Sequence, residues 1–255
     1  MKGKSNVKIM QLVFIRLKDF SNWSNDTINI IQDMKRKTSN NLLVLASLLI
    51  LVNCQQKPKE RMNPEIGLPF YSEVTYTPEW LDEDDENYAD IHQIADFSFV
   101  NQMGQTVDNG TFNGKIYVAN FFFTMCPGVC PKMEKNLSLV QETFAGDDEI
   151  GIISHTVMPW ADSVQTLHAY AQRNDIDAEK WHLVTGDKKD IYNLARNSYF
   201  ADEGFGKTVT ADEDFLHTEK VILIDKKRRI RGVYNGTLPL EMKRMIEDIH
   251  TLKKE

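Results

Sequence analysis

The chain has little cysteine, no net positive charge and no apolar run of membrane-spanning length. Its 255 residues hold three cysteines, Cys54, Cys126 and Cys130. The apolar run at 42–52, LLVLASLLILV, falls short of the about 17–25 residues that a transmembrane helix needs. Net charge is −7, and it divides unevenly. Residues 1–53 carry eight Lys/Arg against three Asp/Glu, a net of +5, which leaves −12 on the rest. An acidic body repels phosphate backbones, so nucleic acid is not expected as a partner. No internal repeat or low-complexity tract interrupts the chain, and its length suits one ordinary domain with something in front of it.

The apolar run follows MKRK at Met34–Lys37 and ends two residues before Cys54. A secretory signal needs an apolar region of only about 7–15 residues behind a basic start. A cysteine placed directly after such a run resembles a bacterial lipoprotein signal, in which cleavage leaves that cysteine as an acylated N-terminus. Residues 34–53 are accordingly read as signal peptide and Cys54 as the lipidation site, with Asn53 standing where the pattern prefers Gly, Ala or Ser. Residues 1–33 carry no signal logic and read as an over-extended start. The resulting expectation is a membrane-anchored lipoprotein in the periplasm, where disulfides form readily. Residues 54–93 are read as a tether, and the acidic LDEDDE at Leu81–Glu86 as solvated surface.

Beyond the tether, strand and helix patterns alternate. DFSFVNQMGQTV has strand periodicity with a turn at Gly104, and KIYVANFFF, Lys115–Phe123, reads as a strand covered on both faces. Met133, Leu137, Val140 and Phe144 then recur at helical intervals. IGIISHTVM and WHLVTG read as strands, each followed by a helix, the first with Asp162 and Ser163 as capping candidates. VILID, a KKRR turn, IRGVYNG and a helix seamed by Met242, Met245, Ile246, Ile249 and Leu252 close the chain. This is an α/β domain over 94–255, a central mixed sheet flanked by helices.

Cys126 and Cys130 lie where the first buried strand ends and a helix begins. Four-residue spacing puts them about one helical turn apart, so their sulfurs can approach each other or a shared ion. A helix N-terminus lowers thiol pKa. Pro127 and Pro131 stiffen the loop, and Gly128 is expected to let the backbone turn tightly. Among six histidines, His92, His168, His182 and His250 read as surface or satisfied core, and His155 as a weak candidate. His217 differs, because it leads into VILID, the strand that a thioredoxin-like order sets beside the first buried one. Met125 and Met133 are thioether candidates, although a Met beside a buried strand is more often core.

FFFTMCPGVCPKM, ISHTVMPWADSVQTLHAYA, WHLVTGDKKDIYNLA and a lone His before VILIDKKRRIRGVY together resemble the Sco/SenC family over about Ile94–Ile249. The resemblance implies a thioredoxin-like fold and a copper chaperone for cytochrome c oxidase subunit II. It also implies metal thiolates at Cys126 and Cys130 and a metal imidazole at His217. Three departures stand out: Gly128 where the family commonly has Asp, Leu216 before the histidine in place of Asp, and Thr218 in place of Ser. The donor set suits copper, since thiolates favour Cu(I) and imidazole holds both valences; zinc would accept the same donors. A thiol-disulfide oxidoreductase using Cys126 and Cys130 remains open. So do a peroxidase, for which Thr124 stands too close to Cys126, and a merely stabilising disulfide, which a four-residue loop makes weak.

Overall fold

The computed structural model describes residues 67–201 and 218–255, all within one compact unit spanning Pro64–Glu255. Cys54, the segment read as a signal peptide and His217 therefore lie outside the described residues. The strands are β1 (Ser98–Asn101), β2 (Thr106–Asp108), β3 (Ile116–Phe122), β4 (Ile150–Thr156), β5 (Trp181–Thr185), β6 (Lys220–Ile224) and β7 (Ile230–Asn235). They form one sheet in the order β2-β1-β5-β4-β3-β6-β7. β3, β4 and β5 run parallel; β1, β2, β6 and β7 join antiparallel. The expected mixed sheet of thioredoxin-like type is present. The helices are α1 (Val129–Thr143), α2 (Val164–Arg173), α3 (Lys188–Asn197) and α4 (Pro239–Leu252).

Period-two alternation sorts the side chains into two cores. On one face Ile116, Val118 and Phe122 of β3, Ile150 and Ile152 of β4, and Val221 and Leu223 of β6 meet α1, α2 and α4. On the other, Tyr117, Ala119 and Phe121 of β3, Ile153 of β4, and Ile222 and Ile224 of β6 meet α3 and the β1–β2 hairpin. Every residue of β3 and β4 is buried, as central strands of a covered sheet require. The hairpin turns at Gly104, whose φ of 75° lies in the left-handed region where glycine avoids a Cβ clash. The helix over Val129–Thr143 buries Met133, Leu137 and Val140, with Phe144 as its buried C-cap, which bears out the seam read from the sequence.

The segment read as a tether is in part built into the domain. Phe70 and Glu79 exchange backbone hydrogen bonds of 2.7 and 2.9 Å, and the Tyr71 N–H donates to the Ile230 carbonyl at 3.1 Å. Arg229 and Arg231 set their guanidinium groups 4.6 and 4.2 Å from the centre of the Phe70 ring. Arg231 also donates to the carbonyls of Leu68 and Pro69 and pairs with Glu255. With Ile91 and Ile94 buried as well, the packed region begins before the boundary at 94 that composition suggests. The physical reason is that two cations stacked on one aromatic ring bury a segment whose overall polarity reads as linker. The acidic residues Asp82–Glu86 are exposed, as expected of solvated surface.

Candidate metal centre

The two thiols sit at the C-terminal end of β3, on the face covered by α1 and α4. After Phe122 the chain leaves the sheet, and the Cys126 N–H donates to the Phe123 carbonyl at 3.2 Å. Cys126 precedes the helix, while Cys130 is the second residue of α1, so the pair does not ride one helical turn as the spacing alone suggests. They meet all the same: the Cys130 N–H donates to Cys126 Sγ at 3.4 Å. Both are free thiols. A cleft of about 580 Å³ opens beside them, lined by Phe122, Phe123, Cys126, Pro127, Cys130, Val157, Thr218 and Glu219. Thr218 and Glu219, which lead into β6 and directly follow His217 in sequence, are thus on the cleft wall.

The environments of the two sulfurs are opposed. Burial pushes the Cys126 thiol up, but the backbone N–H groups of Cys130, Gly128 and Val129 and the Cys130 side chain more than offset it, and the net shift is downward. Burial is also the largest influence on Cys130 and is reinforced by hydrogen bonding to Cys126, so that thiol is pushed up to about 12. The expectation that the helix N-terminus acidifies both thiols therefore holds for Cys126 only. Cys130 points into the core, 7% exposed, where desolvation outweighs the helix end. A half-buried acidic thiol beside a buried basic one suits either stepwise capture of a soft ion or attack followed by resolution.

Gly128 is the N-cap of α1 with φ −131°, outside the left-handed region, and a Cβ there would meet nothing within 4 Å. The tight turn expected to require glycine is absent, and an L-residue would fit. Ser163, not Asp162, caps α2, its Oγ accepting from the Thr166 N–H at 3.2 Å. Met133 is core at 1% exposure, whereas Met125 is exposed beside Cys126.

The five described histidines fall as the sequence suggests. His155 lies on the opposite face of the sheet, ringed by Phe97, Phe99, Phe121 and Tyr199, with neither ring nitrogen hydrogen-bonded. His92 Nε2 lies 2.8 Å from the Ser198 carbonyl, and His182 Nδ1 lies 3.3 Å from Asn101 Nδ2. His168 is half-buried in α2 and His250 is exposed on α4. Among the described residues no group of three or more His, Cys, Asp or Glu side chains gathers as a metal site.

Sequence reading missed two polar clusters near the thiols. Asp162, 1% exposed, accepts from the Thr124 N–H at 3.2 Å, from Thr124 Oγ1 at 2.5 Å and from Thr156 Oγ1. Tyr170, whose ring packs 5.6 Å from Phe122, donates its hydroxyl to Glu134 on α1. Neither cluster has a local sequence signature, because partners 38 and 36 positions apart meet only through the parallel crossover.

The SCO1/SenC family profile matches residues 85–254. The SCO1 protein homolog of Bacillus subtilis (strain 168) is 24% identical over 160 residues, covering 62% of this chain and 81% of that protein. Among solved structures, a SCO1/SenC family lipoprotein from Bacillus anthracis superposes with a TM-score of 0.56 at 26% identity, over 64% of this chain and 95% of its own. Bradyrhizobium japonicum ScoI with copper bound superposes with a TM-score of 0.50 at 24% identity, over 62% and 98%, a likeness of fold. Among the described residues no helix is long and apolar enough to cross a membrane. With the family profile spanning most of the chain and the same fold in its solved members, this protein belongs to the SCO1/SenC family.

Proposed function

We propose that this chain is a membrane-tethered copper chaperone. Cys126, Cys130 and His217 hold the ion and release it to the dinuclear copper site of cytochrome c oxidase subunit II, and a lipid on Cys54 ties the domain to the extracytoplasmic side of the membrane. Copper is cargo here. The observation that carries the reading is the meeting of two free thiols in an open cleft that Thr218, the neighbour of His217, also lines. Two thiolates and an imidazole suit an ion that changes between Cu(I) and Cu(II), and a three-donor set leaves a side from which a recipient's thiolates can take it. Family membership supports copper handling in oxidase assembly, and a solved relative carries copper.

The split in thiol acidity favours a second reading, in which the acidic, half-buried Cys126 at the cleft attacks a partner disulfide and Cys130 resolves it. Titrating the protein and its His217→Ala variant with Cu(I) and Cu(II) separates the two. The chaperone reading expects Cu(II) affinity to fall by more than the about 10–100-fold typical of losing a supporting partner, with Cu(I) retained on the thiolates. Unchanged affinity for both valences, together with fast reduction of a disulfide peptide by either protein, sinks the chaperone reading and leaves the reductase.

A further inference from the structure

We propose that Asp162 is a positioning residue for the working thiol: its buried carboxylate fixes Thr124, and through it the turn that carries Cys126. Four observations converge on this. The side chain is 1% exposed and accepts three hydrogen bonds, two of them from the N–H and hydroxyl of Thr124, two residues before Cys126. The third comes from Thr156 at the end of β4, whose hydroxyl oxygen also accepts from the Met158 N–H at 3.0 Å. The end of β4 is itself tied to β3, since the Val157 N–H donates to the Phe122 carbonyl at 2.8 Å. Finally, α2 takes its cap from Ser163, so the carboxylate is not spent on its own helix.

A carboxylate out of water is costly, and no cation pairs with Asp162 among the described residues. Three donors converging on it offset that cost only while Thr124 stays in place. The loop 124–126 is thereby held against a rigid strand end at one side, and at the other the Cys126 sulfur accepts from the first N–H groups of α1. Loss of the Thr124 anchor frees the turn and lets Cys126 Sγ drift from those donors. Partners that orient a ligand residue in this way typically alter site function about 10–100-fold when removed. The proposal rests on Cys126 being a working thiol, which both copper transfer and disulfide exchange require, and not on copper itself.

The test is alkylation of the reduced, metal-free protein by iodoacetamide, with each cysteine followed by mass spectrometry. Asp162→Ala and Thr124→Val are expected to slow Cys126 by about tenfold, and Asp162→Asn, which keeps an acceptor oxygen without charge, to recover most of the rate. General loosening of the fold has the opposite signature, because it speeds labelling of buried Cys130. Should Asp162→Ala fail to fold, Thr124→Val carries the test, since it removes one half-buried hydroxyl. The proposal is overturned if Cys126 in the folded Ala or Val variants reacts at the wild-type rate or faster, or if Asn does no better than Ala. Failure of the unmodified protein to bind copper would end the chaperone reading and leave this measurement intact.

Discussion

The two faces of the sheet each bury an ionisable side chain, yet only one opens to solvent. On the face of α1 and α4, Cys130 is 7% exposed and lies at the floor of a cleft beside a helix N-terminus and a second thiol. On the other, His155 is wholly buried, with ring centroids of Phe97, Phe99, Phe121 and Tyr199 at 5.2–5.9 Å and no hydrogen bond to either nitrogen. Burial by itself therefore does not mark a site. What distinguishes Cys130 is access: β3 stops at Phe122, the chain turns back through Cys126, and the strand end is left uncovered enough for an ion or a partner to enter. His155 sits at the matching level of β4, paired in register with Phe121, and acts as one more aromatic ring.

The comparison is broken most strongly by hollowing the first face. Leu137 is fully buried on the core face of α1, the helix that also carries Cys130. Leu137→Ala is expected to cost about 2–5 kcal/mol in urea unfolding and to speed labelling of Cys130. Ile153→Val on the second face should cost about 0.5–1.5 kcal/mol and leave both thiols unchanged. Equal thiol rates in the Leu137 variant would mean that core packing does not control access to Cys130.

Acid probes the second face. Desolvation holds the His155 imidazole down to about 3 from its ordinary value of 6.5. Between those values the unfolded chain binds a proton that the folded one refuses, so stability is complete above the unfolded value and falls as pH drops toward the folded one. Relative to His155→Phe, the wild type should lose about 2–3 kcal/mol between about pH 7 and about pH 4.5, measured by urea unfolding at both. Parallel losses in the two proteins would show that the ring finds a partner after all.

Much of this contrast is legible in the sequence. Alternation in KIYVANFFF and IGIISHTVM assigns each side chain to its face, and the helical seam from Met133 to Phe144 places Cys130 at the start of a buried helix. Less legible is whatever depends on partners brought together by the fold. Asp162 reads as a cap because it precedes Ser163, and only the parallel pairing of β3 with β4 carries it to Thr124. Phe70 reads as linker because the guanidinium groups stacked on it stand about 160 positions away. The acidity of the thiols was half legible: helix proximity is local and visible, whereas desolvation of Cys130 depends on the core around it.

Gly128 offers the gentlest way to sharpen the difference between an open and a sealed group. It caps α1 in a conformation open to L-residues, its Cβ position is empty, and its N–H is among the donors that lower the Cys126 thiol. Gly128→Asp should stabilise the fold by only a few tenths of a kcal/mol, because glycine is already a tolerable N-cap. The new carboxylate would stand beside Cys126 and disfavour its thiolate. The expected result is slower alkylation of Cys126 near neutral pH with little change at Cys130, whose reactivity is governed by burial. A variant that slowed both thiols equally would show that the helix end, and not access from the cleft, sets the reactivity of the pair.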